Sequence, residues 1–264
     1  MKNNKTAIRL KQFARLASDF FFPPICIACD AVLAPGTNEN LCPICKKKWS
    51  TAKLSLRAKF NGAPVVPLSL DGISDERGSA IASLCDYHSN ARDSDYEIQK
   101  IIVIELKRHE YSRLTDFAAE ELYRLVYEVM NARFYKSDVV VRIPRNRKNI
   151  VRDGADNMKV VAKTLTQKLG VTFVDGFRQR YGVKEQKRLS AKERATNIEK
   201  GIYLTPKAKK MIKNRRVILL DDVITTGSSV TTAAKLLYAA GAKQVFIFSL
   251  TMNSEHLLRL YDFN

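Results

Sequence analysis

The residues of this chain best equipped for chemistry stand in one run, Val217–Ser229, reading VILLDDVITTGSS. Apolar residues lead into Asp221 and Asp222, and a loop of Thr225, Thr226, Gly227, Ser228 and Ser229 follows. Ionised carboxylates only accept hydrogen bonds, so an adjacent pair suits a ligand region rich in hydroxyl donors, such as a ribose diol. The same pair would repel a phosphate placed against it. Gly227 lets the backbone turn tightly and approach a ligand. If a helix opens at the loop, its unpaired N–H groups and its dipole attract a phosphate, and the four hydroxyls add donors. Taken piecewise these residues also describe an ordinary strand–turn–helix with a hydroxyl cap. Taken whole, they predict a site for a sugar phosphate.

A second group is Cys26-x2-Cys29 and Cys42-x2-Cys45, with twelve residues between the pairs. Zinc takes four thiolates in a tetrahedron, and each C-x2-C turn presents two sulfurs to one ion. Four protein ligands leave no open position for water, so the predicted zinc is structural. Cys85 stands apart and is expected to be a buried small hydrophobe.

The elements that must position these groups follow from periodicity. Ile8, Phe13, Leu16 and Phe20 predict a short amphipathic helix over 8–22, stopped by Pro23-Pro24, with the cysteine module over 25–50. Residues 51–80 read as a linker with one or two short strands. Helices are predicted over 97–107 and 113–131, a buried strand over 138–143, and a helix over 158–169 closed by Gly170. Strands over 172–177 and 215–220, a helix over 229–240 closed by Gly241 and a last strand over 244–250 complete the pattern. Alternating elements of this length imply an α/β fold with a mostly parallel sheet and helices on both faces. The expected division is 1–55 for the leading helix and zinc module, 56–95 for a linker or hood region, and 96–264 for the α/β domain.

The Asp-Asp-TTG run resembles the phosphoribosyl pyrophosphate motif of type I phosphoribosyltransferases. The resemblance implies that Asp221 and Asp222 hold the ribose hydroxyls, that Thr225–Ser229 hold the 5-phosphate, and that magnesium arrives with the pyrophosphate ligand. Purine-salvage members carry an Asp where Thr225 stands, and Thr is a poor general base, which disfavours purine salvage. Joined to the cysteine module, the chain is similar to the ComF (ComFC) family over nearly its whole length. Further shared features are Tyr87, Leu106-Lys107, the proline-ended strand Ile143-Pro144 with basic residues to Arg152, and the run Gln186–Asn197. One stretch departs from the family pattern: Arg152-Asp153-Gly154-Ala155-Asp156-Asn157 has Ala155 in place of an aromatic and Asp153 where many members have Arg. The resemblance implies a role in natural competence, handling incoming single-stranded DNA with a helicase-like partner. The alternative is an active phosphoribosyltransferase, transferring a pentosyl group to an acceptor the sequence does not identify.

Composition is compatible with both. The 264 residues are 45% hydrophobic, enough for a real core, and 45 Lys and Arg against 27 Asp and Glu give a net charge of +18. Such charge favours polyanions, whether nucleic acid, phosphorylated metabolites or an anionic surface. Lys107, Arg145, Arg147, Lys148 and Arg152 therefore have two uses, contacts to pyrophosphate or to DNA, and Gln186–Lys200 is either a loop over the site or a DNA track. The basic cluster at 207–216 reads as a solvated face. No apolar run reaches the ~20 residues of a membrane span, and no secretory signal is visible, so the expected location is the cytoplasm.

Overall fold

The computed structural model of the protein describes residues 17–63, 65–67, 80–87, 97–108, 112–131, 138–154, 156–179 and 201–256. The helices are α1 (Pro43–Lys59), α2 (Glu97–Arg108), α3 (Ser112–Val129), α4 (Arg147–Asp153), α5 (Asn157–Leu169), α6 (Pro206–Ile212) and α7 (Ser228–Ala239). The strands are β1 (Val65–Pro67), β2 (Ala80–Asp86), β3 (Val139–Arg142), β4 (Thr172–Phe173), β5 (Phe177–Gln179), β6 (Ile202–Leu204), β7 (Arg216–Ile224) and β8 (Gln244–Met252).

The main sheet runs β1-β2-β8-β7-β3-β4, parallel throughout except for β1 at one edge. Parallel strands need both faces covered, and so read as continuous apolar runs. Val139–Val141, Val217–Leu220 and Val245–Phe248 are such runs. One face packs on α2, α3 and α5 through Ile102, Leu122, Val126, Val161 and Leu165. The other packs on α6 and α7 through Ile212, Val230, Ala233 and Leu237. From β3 the chain crosses to β4 on one side, and from β7 it crosses to β8 on the other. The sheet therefore has a topological switch point between β3 and β7, the place where an open α/β sheet leaves a crevice at its strand C-termini.

Several segments differ from the sequence expectation. Residues 51–59, expected as linker, continue α1, which starts with Cys42 as N-cap and Pro43 in its first turn. Trp49, Ala52 and Leu56 bury one side of that helix. The region expected as linker or hood also supplies β2, a wholly buried strand paired in parallel with β8. The expected strand 172–177 divides at Gly176, where a Cβ would lie 2.6 Å from that of Ala208. The bend lets β5 leave the sheet and pair with β6 in a separate hairpin. The basic cluster 207–216 contains α6, capped by Thr205, with Ala208 and Ile212 buried beneath its lysines. Residues 8–16 of the expected leading helix and the segment 180–200 lie outside the described residues.

Candidate functional site

The acidic pair sits at the C-terminal end of β7. The strand does not stop at Leu220. It runs on through Asp221 and Asp222 to Ile224, because β8 continues beside it and pairs Asp221 with Ser249 and Ile224 with Met252. Successive side chains of a strand point to opposite faces. Asp222 turns toward α2, where Lys107 Nζ lies 3.1 Å from its carboxylate. Both carboxylates are also held locally. The Asp222 N–H donates to Asp221 Oδ1 at 2.9 Å, and the Val223 N–H to Asp222 Oδ1 at 2.8 Å. Burial first, and then the charge of Asp222, push the Asp221 carboxyl well above its ordinary value.

The loop then turns through Gly227, whose φ of +73° is a left-handed conformation that a β-carbon would strain. Gly227 is the N-cap of α7, and no side chain caps that helix. Its first-turn amides, which have no partner within the helix, receive no acceptor from a capping side chain. Thr225 and Thr226 are exposed, Thr226 and Ser228 share a hydroxyl contact of 3.0 Å, and Ser229 faces the cleft.

That cleft has a volume of about 590 Å³ and lies at the switch point. One wall is Asp221, Asp222, Val223 and Ser229; the other is Ile104 and Lys107 from α2, Ile143-Pro144-Arg145 after β3, and Asn149, Arg152 and Asp153 from α4. Of the basic residues expected here, Lys107, Arg145 and Arg152 line it. Lys148 is exposed outside the lining, and Arg147 contributes backbone to the start of α4. Arg145 donates to the Lys107 carbonyl at 2.8 Å and to the Asp153 carboxylate. Asn149 and Asp153 are lining residues that sequence reasoning did not place. Their signal was the pair of helix boundaries around 147–153: Asn146 caps the start by accepting from the Lys148 N–H, and Gly154 ends the helix at a φ of +76°.

The cysteines converge away from this cleft. The four Sγ atoms of Cys26, Cys29, Cys42 and Cys45 lie within 4.8 Å of one another. Sulfurs around one tetrahedral ion at about 2.3 Å are about 3.8 Å apart, and the Cys29–Cys42 separation is 3.7 Å. Backbone amides point at the cluster: the Cys42 N–H donates to Cys26 Sγ at 3.3 Å, and the Cys45 N–H to Cys42 Sγ at 3.5 Å. The amide of Cys45 lowers the Cys42 thiol to about 7, whereas burial raises that of Cys45. This donor set fits a thiolate-binding metal ion such as zinc. The module is fastened to α3. Trp49 packs on Phe117 at 5.6 Å between ring centroids and donates to Glu121 at 2.7 Å. Arg113 donates to the carbonyls of Ile25 and Glu39.

The family model described as the phosphoribosyl transferase domain matches residues 113–260. Competence protein F of Haemophilus influenzae is 40% identical over 65 residues, covering 25% of this chain and 28% of that protein. The match thus spans less than a third of that relative's length. Among solved structures, glutamine phosphoribosylpyrophosphate amidotransferase of B. subtilis is 16% identical with a TM-score of 0.37, covering 56% of this chain and 30% of that one. Adenine phosphoribosyltransferase of Saccharomyces cerevisiae is 18% identical with a TM-score of 0.38, covering 57% and 75%.

Proposed function

We propose, from the premise that this chain belongs to the phosphoribosyl transferase domain family, that its cleft grips a ribose 5-phosphate group, as carried by phosphoribosyl pyrophosphate or a related ribose phosphate. The observation that carries this reading is the convergence of a carboxylate doublet and an uncapped helix N-terminus on one crevice. Asp221 and Asp222 accept from the ribose hydroxyls. The amides and hydroxyls of Thr225–Ser229 hold the 5-phosphate, where the dipole of α7 favours the anion. Lys107 steadies Asp222 through the 3.1 Å ion pair. Magnesium would enter with a pyrophosphate-bearing ligand and offset part of its charge.

The test is calorimetric titration with phosphoribosyl pyrophosphate, with and without magnesium, on the wild type and on Asp221→Asn/Asp222→Asn. Loss of the carboxylates is expected to weaken binding at least about tenfold, the equivalent of about 1.4 kcal/mol. The Asp221 carboxyl is raised in the folded state, so its charge is disfavoured there, and replacing it by Asn removes that penalty. Because Asp222→Asn also leaves Lys107 without its carboxylate, thermal melting of both proteins distinguishes a lost contact from misfolding. Undiminished affinity would sink the assignment.

We propose further that the four cysteines hold a structural zinc ion and that the protein acts in DNA uptake, handling single-stranded DNA together with a helicase-like partner. What supports the second reading is the local identity to Competence protein F and the charge of +18. A ribose-phosphate grip serves either a nucleotide-like metabolite or a DNA backbone. Release of pyrophosphate in the presence of candidate acceptors would instead favour pentosyl transfer.

A further inference from the structure

The cleft carries three basic side chains, Lys107, Arg145 and Arg152, and three acidic ones, Asp153, Asp221 and Asp222. They are arranged in two groups. Lys107 belongs to the ribose wall through Asp222. The remaining two cations meet on Asp153. Arg152 forks onto both of its oxygens, Nε to Oδ1 at 2.6 Å and the second guanidinium nitrogen to Oδ2 at 3.1 Å. Arg145 donates to Oδ2 as well. A planar fork on two oxygens is also the arrangement in which arginine binds a phosphoryl group. The guanidinium of Arg152, and then that of Arg145, hold the Asp153 carboxyl below its usual range, so it is ionised at neutral pH.

We propose that Asp153 is a built-in counter-anion that occupies the arginine pair a 1-pyrophosphate would use, and so sets the cleft to favour ribose monophosphates over pyrophosphate-bearing donors. The inference rests on the reading of the cleft as a ribose 5-phosphate site. A ribose held at Asp221 and Asp222, with its 5-phosphate on the α7 amides, projects its C1 substituent toward the opposite wall. There both guanidiniums already donate to Asp153, although Arg152 is 70% exposed and spends only Nε and one Nη on it. A pyrophosphate that takes both arginines competes with Asp153 for them, and that carboxylate stands as a like charge beside it. A monophosphate, or a sugar with a neutral C1 substituent, makes no such demand. The pair is also structural in part, because Arg145 uses its other nitrogen to hold the Lys107 carbonyl at 2.8 Å.

The experiment titrates ribose 5-phosphate and magnesium–phosphoribosyl pyrophosphate into the full-length wild type and Asp153→Asn, with thermal melting of both. Asn keeps the shape and one acceptor for Arg145. The expected result is that Asp153→Asn binds the pyrophosphate donor about tenfold more tightly, while ribose 5-phosphate affinity moves by less than about twofold. Equal weakening of both ligands with a lowered melting temperature would show a structural brace and overturn the proposal, as would an unchanged ratio. The wild type supplies a second reading that needs no variant. There ribose 5-phosphate should bind at least as tightly as the pyrophosphate donor, and tighter binding of the pyrophosphate donor by more than about twofold would overturn the proposal. Failure of the cleft reading itself looks different: ribose 5-phosphate would then bind with no dependence on Asp221 and Asp222, or not at all.

Discussion

At the scale of single residues, one constraint outside the cleft is Asp86, 1% exposed at the end of β2. Lys59 reaches it from α1 at 2.5 Å, and the Ser254 N–H donates to it at 3.0 Å from the segment after β8. Burial alone would raise this carboxyl, but the donors Lys59 and Ser254 outweigh it and hold it below its ordinary value. The folded pKa lies below the unfolded one, so protons favour the unfolded chain. The stabilisation is complete above about pH 4 and is lost as pH falls through the folded pKa. Asp86→Asn is expected to cost about 3 kcal/mol near neutrality, by leaving Lys59 without its carboxylate, and to flatten the acid limb of the stability profile. Urea midpoints measured across the acid range check both. An acid limb as steep in the variant as in the wild type would assign it to other carboxylates. Cys85, by contrast, is buried as expected of a small hydrophobe, at 0% exposure.

At the scale of elements, α1 couples the cysteine cluster to the sheet. Its N-cap is Cys42, its middle docks Trp49 and Lys53 on Glu121 of α3, and its last turn meets Glu128 and Asp86 through Arg57 and Lys59. Order in the cluster is thereby transmitted along a helix of 17 residues to both α3 and β2. Withdrawal of metal by a strong chelator, or Cys26→Ser with Cys29→Ser, should therefore lower the melting temperature of the whole chain, not only loosen the module. Metal-bound structural sites contribute their binding energy to folding. Elemental analysis should return close to stoichiometric zinc for the wild type. A chain that melts identically with and without chelator would refute the coupling.

At the scale of the whole molecule, net charge governs long-range attraction to polyanions, while the fold governs what the cleft accepts. Single-stranded DNA binding, if it follows the basic surface, should weaken steeply with salt. The slope of log affinity against log salt should be about −0.7 for each phosphate neutralised. Fluorescence anisotropy with a short oligonucleotide at several salt concentrations measures it. Excess ribose 5-phosphate should compete only where the cleft itself grips the backbone. A salt-independent affinity would rule out a backbone track. Among the described residues, no helix is long and apolar enough to cross a membrane.

Local chemistry made much of this legible. The cysteine spacing, the apolar runs of β3, β7 and β8, the Gly170 helix stop and the Asp-Asp-TTG string depend on neighbours in sequence, and sequence alone determined them. Other features depended on partners distant in the chain. β7 extends past its apolar run only because β8 lies beside it, and β2 enters the sheet although Ser83 and Asp86 interrupt its apolar pattern. Asp153 was visible as an acid among basic residues, but its grip on Arg145 and Arg152 required the turn of α4 over the cleft. The switch point between β3 and β7 is likewise a matter of strand order, which no local pattern encodes. Side-chain type and short spacing are properties of the chain. Which cations face which carboxylates across a crevice is set by packing between elements, and only the tertiary structure decided it.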